Sequence, residues 1–524
     1  MERLKKAGLA CCVSALLAFA ALVHAGSAAS AGEPVRGGEI TYVYPSGPAS
    51  LDPHNAGQAV EVEVIFHIFE TLVTMGENYQ AVPSLASSID ISDDSKTYTF
   101  HLRKGVKFHN GKIMSSADVL ASYERYREFG GSPSILADVD AFETPDADTF
   151  VIRLKSPNTV FLDTLKTARH AIAILPAEER HKPAREAAVI GTGPFKVGEW
   201  VRDSHLVIER FDDYVPNENA PGPDGYAGKK TVHVDSVRYR FVPEINSRIA
   251  ALQAGDADVA SEIPPDLAAQ VKGNSKLEVD EQFPFASAVF VLNTKNGPTS
   301  NLKVRKAIQA LVNVDDVMAV TGLPHRRNPS MLYDSSEYYP GNALDQYYSI
   351  NDVELAKKLL KESGYSGEQI LMQTTATFPQ YRDAILVLSE LMKSIGMNVK
   401  VDLVDWTTNI NNLNTGAGGW NVSAVQSMSH PLIGPTAYKP VIYTMPQVGT
   451  DEVLDEAYHR FSTGKTLEER KAAWIDIEKR INDQVYFIKI GDYGSSLIHS
   501  TRIKNLRPWY TNRYWDVWID DKSN

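Results

Sequence analysis

Residues 98–119 read YTFHLRKGVKFHNGKIMSSADV. Tyr98, Phe100 and Leu102 alternate with Thr97, Thr99 and His101, a period of two that predicts a half-buried strand. Gly105 interrupts the alternation, Val106 and Phe108 resume it, and Asn110-Gly111 is a turn pair. Ser115 then stands where a helix cap belongs, with Asp118 at the third helical position, and Val119, Tyr123 and Tyr126 fall on one face. Thr149 to Leu154 alternates again. Residues 76–190 therefore read as a compact α+β unit.

The flanking sequence has a different texture. Before the unit come a strand, Glu39 to Tyr44, and a helix from Val60 to Leu72. After it, Gly191-Thr192-Gly193-Pro194-Phe195 reads as a tight turn feeding a strand. Phe195 to Trp200, His205 to Arg210 and Val232 to Phe241 have strand character, and Asn246 opens a helix that Gly255 closes. From about residue 284, strands alternate with helices, the mark of an α/β unit. Ser287 to Asn293 is a strand, and Asn351 caps a helix over Asp352 to Ser363. Another helix presents Ile385, Leu388, Leu391 and Ile395, and a strand over 399–404 follows. Thr466 and Glu469 form a capping box for a helix carrying Trp474. Val485 to Ile490 and Arg513 to Ile519 return to strand texture. Three parts emerge.

The chain of 524 residues is 43% hydrophobic and 23% charged, the balance of a globular protein with ample core. Its net charge of −12 argues against a nucleic-acid partner, which would need a basic surface. Residues 1–31 read as a signal peptide. Arg3, Lys5 and Lys6 precede an apolar run from Ala7 to Val23, with cleavage expected after Ala25 or Ala31. Removing them takes away three basic and one acidic side chain, so the charge becomes −14, and both cysteines, Cys11 and Cys12, go too. An exported chain without cysteine has no thiol chemistry and no disulfide, and a periplasmic location is expected.

Enzyme motifs are absent. There is no G-x-S-x-G elbow, no H-E-x-x-H and no phosphate loop, and the acidic pairs Asp93-Asp94, Asp212-Asp213 and Asp315-Asp316 read as turns and caps. His101 and His109 lie in successive strands, where a metal pair is conceivable but a wet surface is the simpler reading. Met428 and His430 stand two apart in a loop. Arg326, between two prolines, offers a fork for a carboxylate. Trp406 follows a strand and Trp420 follows a glycine run, places where α/β units build clefts; Trp474 reads as core.

Taken together, these stretches resemble the periplasmic substrate-binding proteins of peptide and nickel ABC transporters, the extracellular solute-binding family 5. The signature over 98–119 and the Gly191–Phe195 landmark carry the resemblance. Leu51-Asp52-Pro53, Ala250 to Asp258, Val304 to Ile308, and Ala356 to Leu360 with Gly364-Tyr365 follow in the order expected of the family. The resemblance implies a bilobal α/β periplasmic-binding-protein fold with an extra α+β domain. One lobe would comprise 36–75, 191–283 and 491–524, the extra domain 76–190 and the second lobe 284–490, hinged near Phe283–Phe285 and Lys489–Gly491. It also implies a monomer without cofactor that binds a small ligand, a peptide or a peptide-like or anionic compound, and delivers it by hinge closure to ABC permease subunits in the inner membrane. The expected ligand contacts are Tyr44 and Asn55 from lobe one, with Arg326, Trp406, Trp420, Met428 and His430 from lobe two. One departure stands out. Peptide receptors of the family hold the ligand's amine with an Asp in the loop after the Trp-rich strand, yet Trp420 to Pro435 contains no acid, which counts against ordinary free-amine peptides and for a capped, anionic, sugar-like or metal-chelate ligand. A metal-chelate receptor with His430 as ligand, an exported hydrolase, and a sensory or chaperone-like receptor without a transporter are the alternatives.

Overall fold

The computed structural model describes residues 33–521, apart from 322, 377, 428–434, 508 and 510. Strand β1 (Glu39–Tyr44) leads into helix α1 (Ala59–Ile68). The chain then builds a separate unit from β2 (Ala86–Ile91), β3 (Thr97–Leu102), α2 (Ser116–Phe129), β4 (Val139–Asp146) and β5 (Thr149–Leu154). Its strands pair antiparallel in the order β2-β3-β5-β4. Tyr98, Phe100 and Leu102 pack in one core with Val119, Tyr123 and Tyr126. The Asp118 carboxylate accepts the Ser115 N–H at 2.9 Å, completing the capping box that starts α2.

The chain continues through β6 (Phe195–Val201), β7 (His205–Arg210), β8 (Ser236–Phe241), α3 (Ile245–Ala254) and β9 (Val259–Ile263) to a long strand, β10 (Leu277–Leu292). There follow α4 (Leu302–Leu311), β11 (His325–Arg326), α5 (Val353–Glu362), β12 (Ile370–Thr375), α6 (Pro379–Ser394) and β13 (Val399–Val404). Helix α7 (Trp406–Thr415), β14 (Val422–Ser427), α8 (Glu452–Thr463), α9 (Leu467–Gln484) and the returning strand β15 (Phe487–Ser500) complete the frame. One mixed sheet runs in the order β13-β12-β14-β10-β15-β9-β1-β8-β7-β6, with β11 on β15. Strands β10 and β15 traverse both lobes. They pair from Leu277 opposite Ser500 to Val291 opposite Phe487, and the register breaks between Gln282 and Ala286. Separate apolar cores lie to either side, one around β1, β8 and α1, the other around β12, β14, α4 and α6.

Several local expectations are corrected. Helix α1 ends at Ile68, not Leu72, because the Gly193 N–H takes the Ile68 carbonyl at 2.9 Å and the turn packs on the helix end. A Cβ at Gly193 would stand 2.5 Å from the His67 carbonyl, so the turn requires glycine there. Asp352, not Asn351, caps α5, accepting the Leu355 N–H at 2.8 Å. Ser287–Leu292 and Phe487–Ile490 are parts of the longer β10 and β15, whose polar residues at the crossing hid their continuity, while Asn293, Val485 and Tyr486 lie outside both strands. Of Arg513–Ile519, only Trp518–Ile519 pairs as strand; Tyr514, Trp515 and Val517 are buried without joining a ladder.

Candidate functional site

The lobe-one wall beside the crossing is built from β1, α1 and β9. Strand β1 ends on Tyr44, whose hydroxyl donates to Glu262 Oε1 at 2.9 Å. Glu262 lies within β9 at a left-handed φ of 56°. Tyr42, one pleat back, is hydrogen-bonded through its hydroxyl to Ser261. Helix α1 contributes Glu63, which is buried and accepts the Asn512 N–H on Oε2 at 3.1 Å. Tyr44, Glu63, Ser261, Glu262, Gln282, Phe285 and Asn512 line a cavity of about 20 Å³. Burial pushes the Glu63 carboxyl up to about 8, and the charge of Glu262 adds to the rise.

On the lobe-two side, β11 lies against β15 with Arg326 opposite Asp492. The Arg326 guanidinium sits over the Phe283 ring, 4.4 Å from its centroid. With Tyr333, Asp334 and Tyr339 it lines a second cavity, of about 50 Å³. Arg327 is occupied by Asp315 at 2.6 Å, whereas no carboxylate among the described residues lies within ion-pair distance of Arg326. Beneath Arg326 is a buried polar knot. Lys489 Nζ reaches Asp492 Oδ1 at 2.7 Å and the Ser287 hydroxyl, and Asn328 Nδ2 donates to Asp492 Oδ2 at 2.7 Å. A buried pair so fully hydrogen-bonded fixes geometry more than it stabilises. It ties β10, β15 and the segment after β11 together at the point where the lobes meet.

The expected contacts thus separate. Tyr44 and Arg326 flank the crossing. Trp406, first residue of α7, is half-buried and stacks on Tyr381 with centroids 6.0 Å apart. Trp420 has no exposed surface, and its indole donates to the Asn412 carbonyl at 3.0 Å. A ring with no free face is core, so it leaves the site. Asn55 also leaves it, because its amide donates to the Phe129 carbonyl at 3.1 Å, at the seam with the α+β unit. Met428 and His430 lie outside the described residues. The two strand histidines serve separately: His101 bonds Asp90 at 2.8 Å, while His109 clamps Gly193 O at 3.0 Å and the Gly191 N–H at 3.2 Å. Burial holds His109 down to about 4, the neutral form such a clamp uses. Sequence reasoning missed Glu63, Glu262 and the Lys489–Asp492 knot. The signal was present for Glu63, an acid inside the otherwise apolar Val62-Glu63-Val64-Ile65-Phe66.

The chain is similar to known proteins in sequence and in fold. Residues 80–435 match the family model described as bacterial extracellular solute-binding proteins, family 5 middle. The chain is 27% identical, over 98% of both chains, to a probable peptide ABC transporter periplasmic-binding protein of Sinorhizobium fredii. It is 25% identical to the glutathione-binding protein of Pectobacterium atrosepticum over 77% of this chain and 79% of that one. In fold it is similar to an ABC transporter-associated periplasmic binding protein of Helicobacter pylori, solved with the peptide STSA. That likeness has a TM-score of 0.74 and 24% identity, over 93% of this chain and 99% of the other.

Proposed function

We propose, from the premise that the chain belongs to the bacterial extracellular solute-binding proteins of family 5, that it captures a small peptide-like solute between its lobes and presents the closed form to an ABC importer. The observation that carries this reading is Arg326. Among the described residues it is a guanidinium without an ion-pair partner, held over an aromatic ring beside the lobe crossing, the geometry that receives a carboxylate through two parallel hydrogen bonds. Family members are binding proteins rather than enzymes, and relatives carry periplasmic names. Among the described residues no helix is long and apolar enough to cross a membrane. Export by residues 1–31, a monomeric state and the absence of catalysis belong to the same reading. So does the partition into 36–75, 191–283 and 491–524, 76–190, and 284–490, which the separate apolar cores support.

Closure is the working step. Ligand stabilises the closed form by contacts made in that form only, and micromolar binding supplies about 8 kcal/mol for it. The α+β unit takes part. Thr159 donates from its N–H and hydroxyl to the Ser462 carbonyl at 2.8 and 3.1 Å, and Tyr338 donates to Asp163 Oδ2 at 2.8 Å. Val160 packs into the lobe-two core. Arg326→Ala is expected to weaken binding of carboxylate-bearing di- and tripeptides about ten- to hundred-fold, the worth of a charge-assisted hydrogen bond. Because Arg326 is exposed, its melting temperature should stay at the wild-type value. Calorimetric titration showing unchanged affinity would remove Arg326 from the site.

A further inference from the structure

The family's usual amine-holding acid is missing from 420–435, yet the lobe-one wall beside the crossing carries two carboxyl groups at one small cavity. We infer that Glu63 and Glu262 of lobe one form the seat for a primary ammonium group of the ligand, so that the bound solute is a zwitterion with its carboxylate on Arg326. This rests on the reading of the cleft given above.

Three observations support the seat. The cavity, about 20 Å³, matches one water molecule or one ammonium head and is too small for a guanidinium. No lysine or arginine lines it. Glu63 is 4% exposed; the Tyr239 hydroxyl faces its carboxyl, yet Oε1 completes no hydrogen bond of good geometry among the described residues, an arrangement that is expensive unless something completes it. The Tyr514 hydroxyl and the Asn512 side chain beside it face each other. An ammonium donates three hydrogen bonds and accepts none, and the carboxylates of Glu63 and Glu262 can receive them.

The groups facing Glu63 set how it responds. They are Tyr42 and Tyr44 of β1, Tyr239 of β8, Glu262 of β9, Tyr514 of the C-terminal segment and His67 one turn along α1. Burial holds Tyr42, Tyr239 and Tyr514 well above the usual tyrosine range, and it holds His67 down to about 3, so all of these are neutral near pH 7. Arg248, whose Nη1 donates to the Ser261 carbonyl at 3.2 Å, neighbours Glu262 rather than Glu63. Glu63 therefore holds a proton in the empty site, and an arriving ammonium displaces it. Affinity should rise with pH from about 6 to 8, by at most about tenfold per unit.

The test is native mass spectrometry of the full mature protein against a defined pool of tripeptides, each present with a free and an acetylated amino terminus. The wild type and Glu63→Gln are compared across that pH range. The expected result is retention of free-amine members by the wild type. Glu63→Gln should fold, bind those members about ten- to hundred-fold more weakly and lose the pH dependence. Equal retention of acetylated members would overturn the ammonium seat and leave the cleft reading standing. A Glu63→Gln protein with wild-type affinity and slope would mean that the cavity holds only water, and would overturn it too. Retention of no member by the wild type would remove the peptide-like reading and this inference together.

Discussion

Asp52→Ala should lower the unfolding free energy by about 3–5 kcal/mol, because it leaves a buried guanidinium without its counter-charge. Arg125 of α2 is 1% exposed and grips Asp52 with both arms, Nη1 to Oδ1 at 3.1 Å and Nη2 to Oδ2 at 2.6 Å. Its remaining donors reach the Lys182 and Pro183 carbonyls at 3.0 and 2.8 Å, and His54 Nδ1 lies 2.9 Å from Nη1. Burial holds His54 down to about 4, so it meets the guanidinium as a neutral acceptor near pH 7. Asp52 also accepts the Arg185 N–H at 2.8 Å. The Leu51-Asp52-Pro53 stretch is thus the rivet between lobe one and the α+β unit. Urea denaturation should show the loss, and Asp52→Leu combined with Arg125→Met should recover much of it, since an apolar pair leaves no orphaned charge. A single-mutant loss below about 1 kcal/mol would mean that water or another group satisfies Arg125.

Trp420→Ala should cost a similar amount, about 3–5 kcal/mol, for a different reason. The indole is fully buried in the core shared by Leu413, Val425, Tyr438 and Trp474, and truncation leaves a cavity together with an unpaired Asn412 carbonyl. At a temperature where the variant remains folded, ligand affinity should change far less than in Arg326→Ala. A variant with wild-type stability and lost affinity would return Trp420 to the ligand site.

Periodicity made much of the fold legible. The alternation in Tyr98-Thr99-Phe100-His101-Leu102 and the Ser115/Asp118 box are local signals, and local signals survive in a folded chain. The long strands β10 and β15 were harder. Near the crossing they carry Glu278, Asp280, Glu281 and Gln282, and Gly491 and Gly494, where alternation is broken by the demands of two lobes meeting. A Cβ at Gly491 would press on Met318 and the Arg326 carbonyl, a constraint set by residues more than a hundred positions away. The site divides the same way. Arg326, proposed here as a ligand contact, stands out in the sequence by its charge between prolines. Trp406 and Trp420 look alike in sequence, and only packing separates a half-buried ring from a core one. Glu63 hid in a helix whose other residues suggested pure core, and its meaning appears only when β1, β9 and the C-terminal segment gather around it.

The central claim is that a small solute closes the lobes. The two cysteines, Cys11 and Cys12, both precede residue 32, so a protein beginning at residue 32 with Asp94→Cys and Lys465→Cys carries a unique pair of spin labels across the groove between the α+β unit and lobe two. Pulsed electron spin distance measurements, made after refolding to strip bound solutes, would compare the protein alone with the protein plus the tripeptide pool and glutathione. The expected result is a broad, longer distribution that collapses to one short distance when a free-amine solute binds. An unchanged distribution with solute demonstrably bound would contradict it.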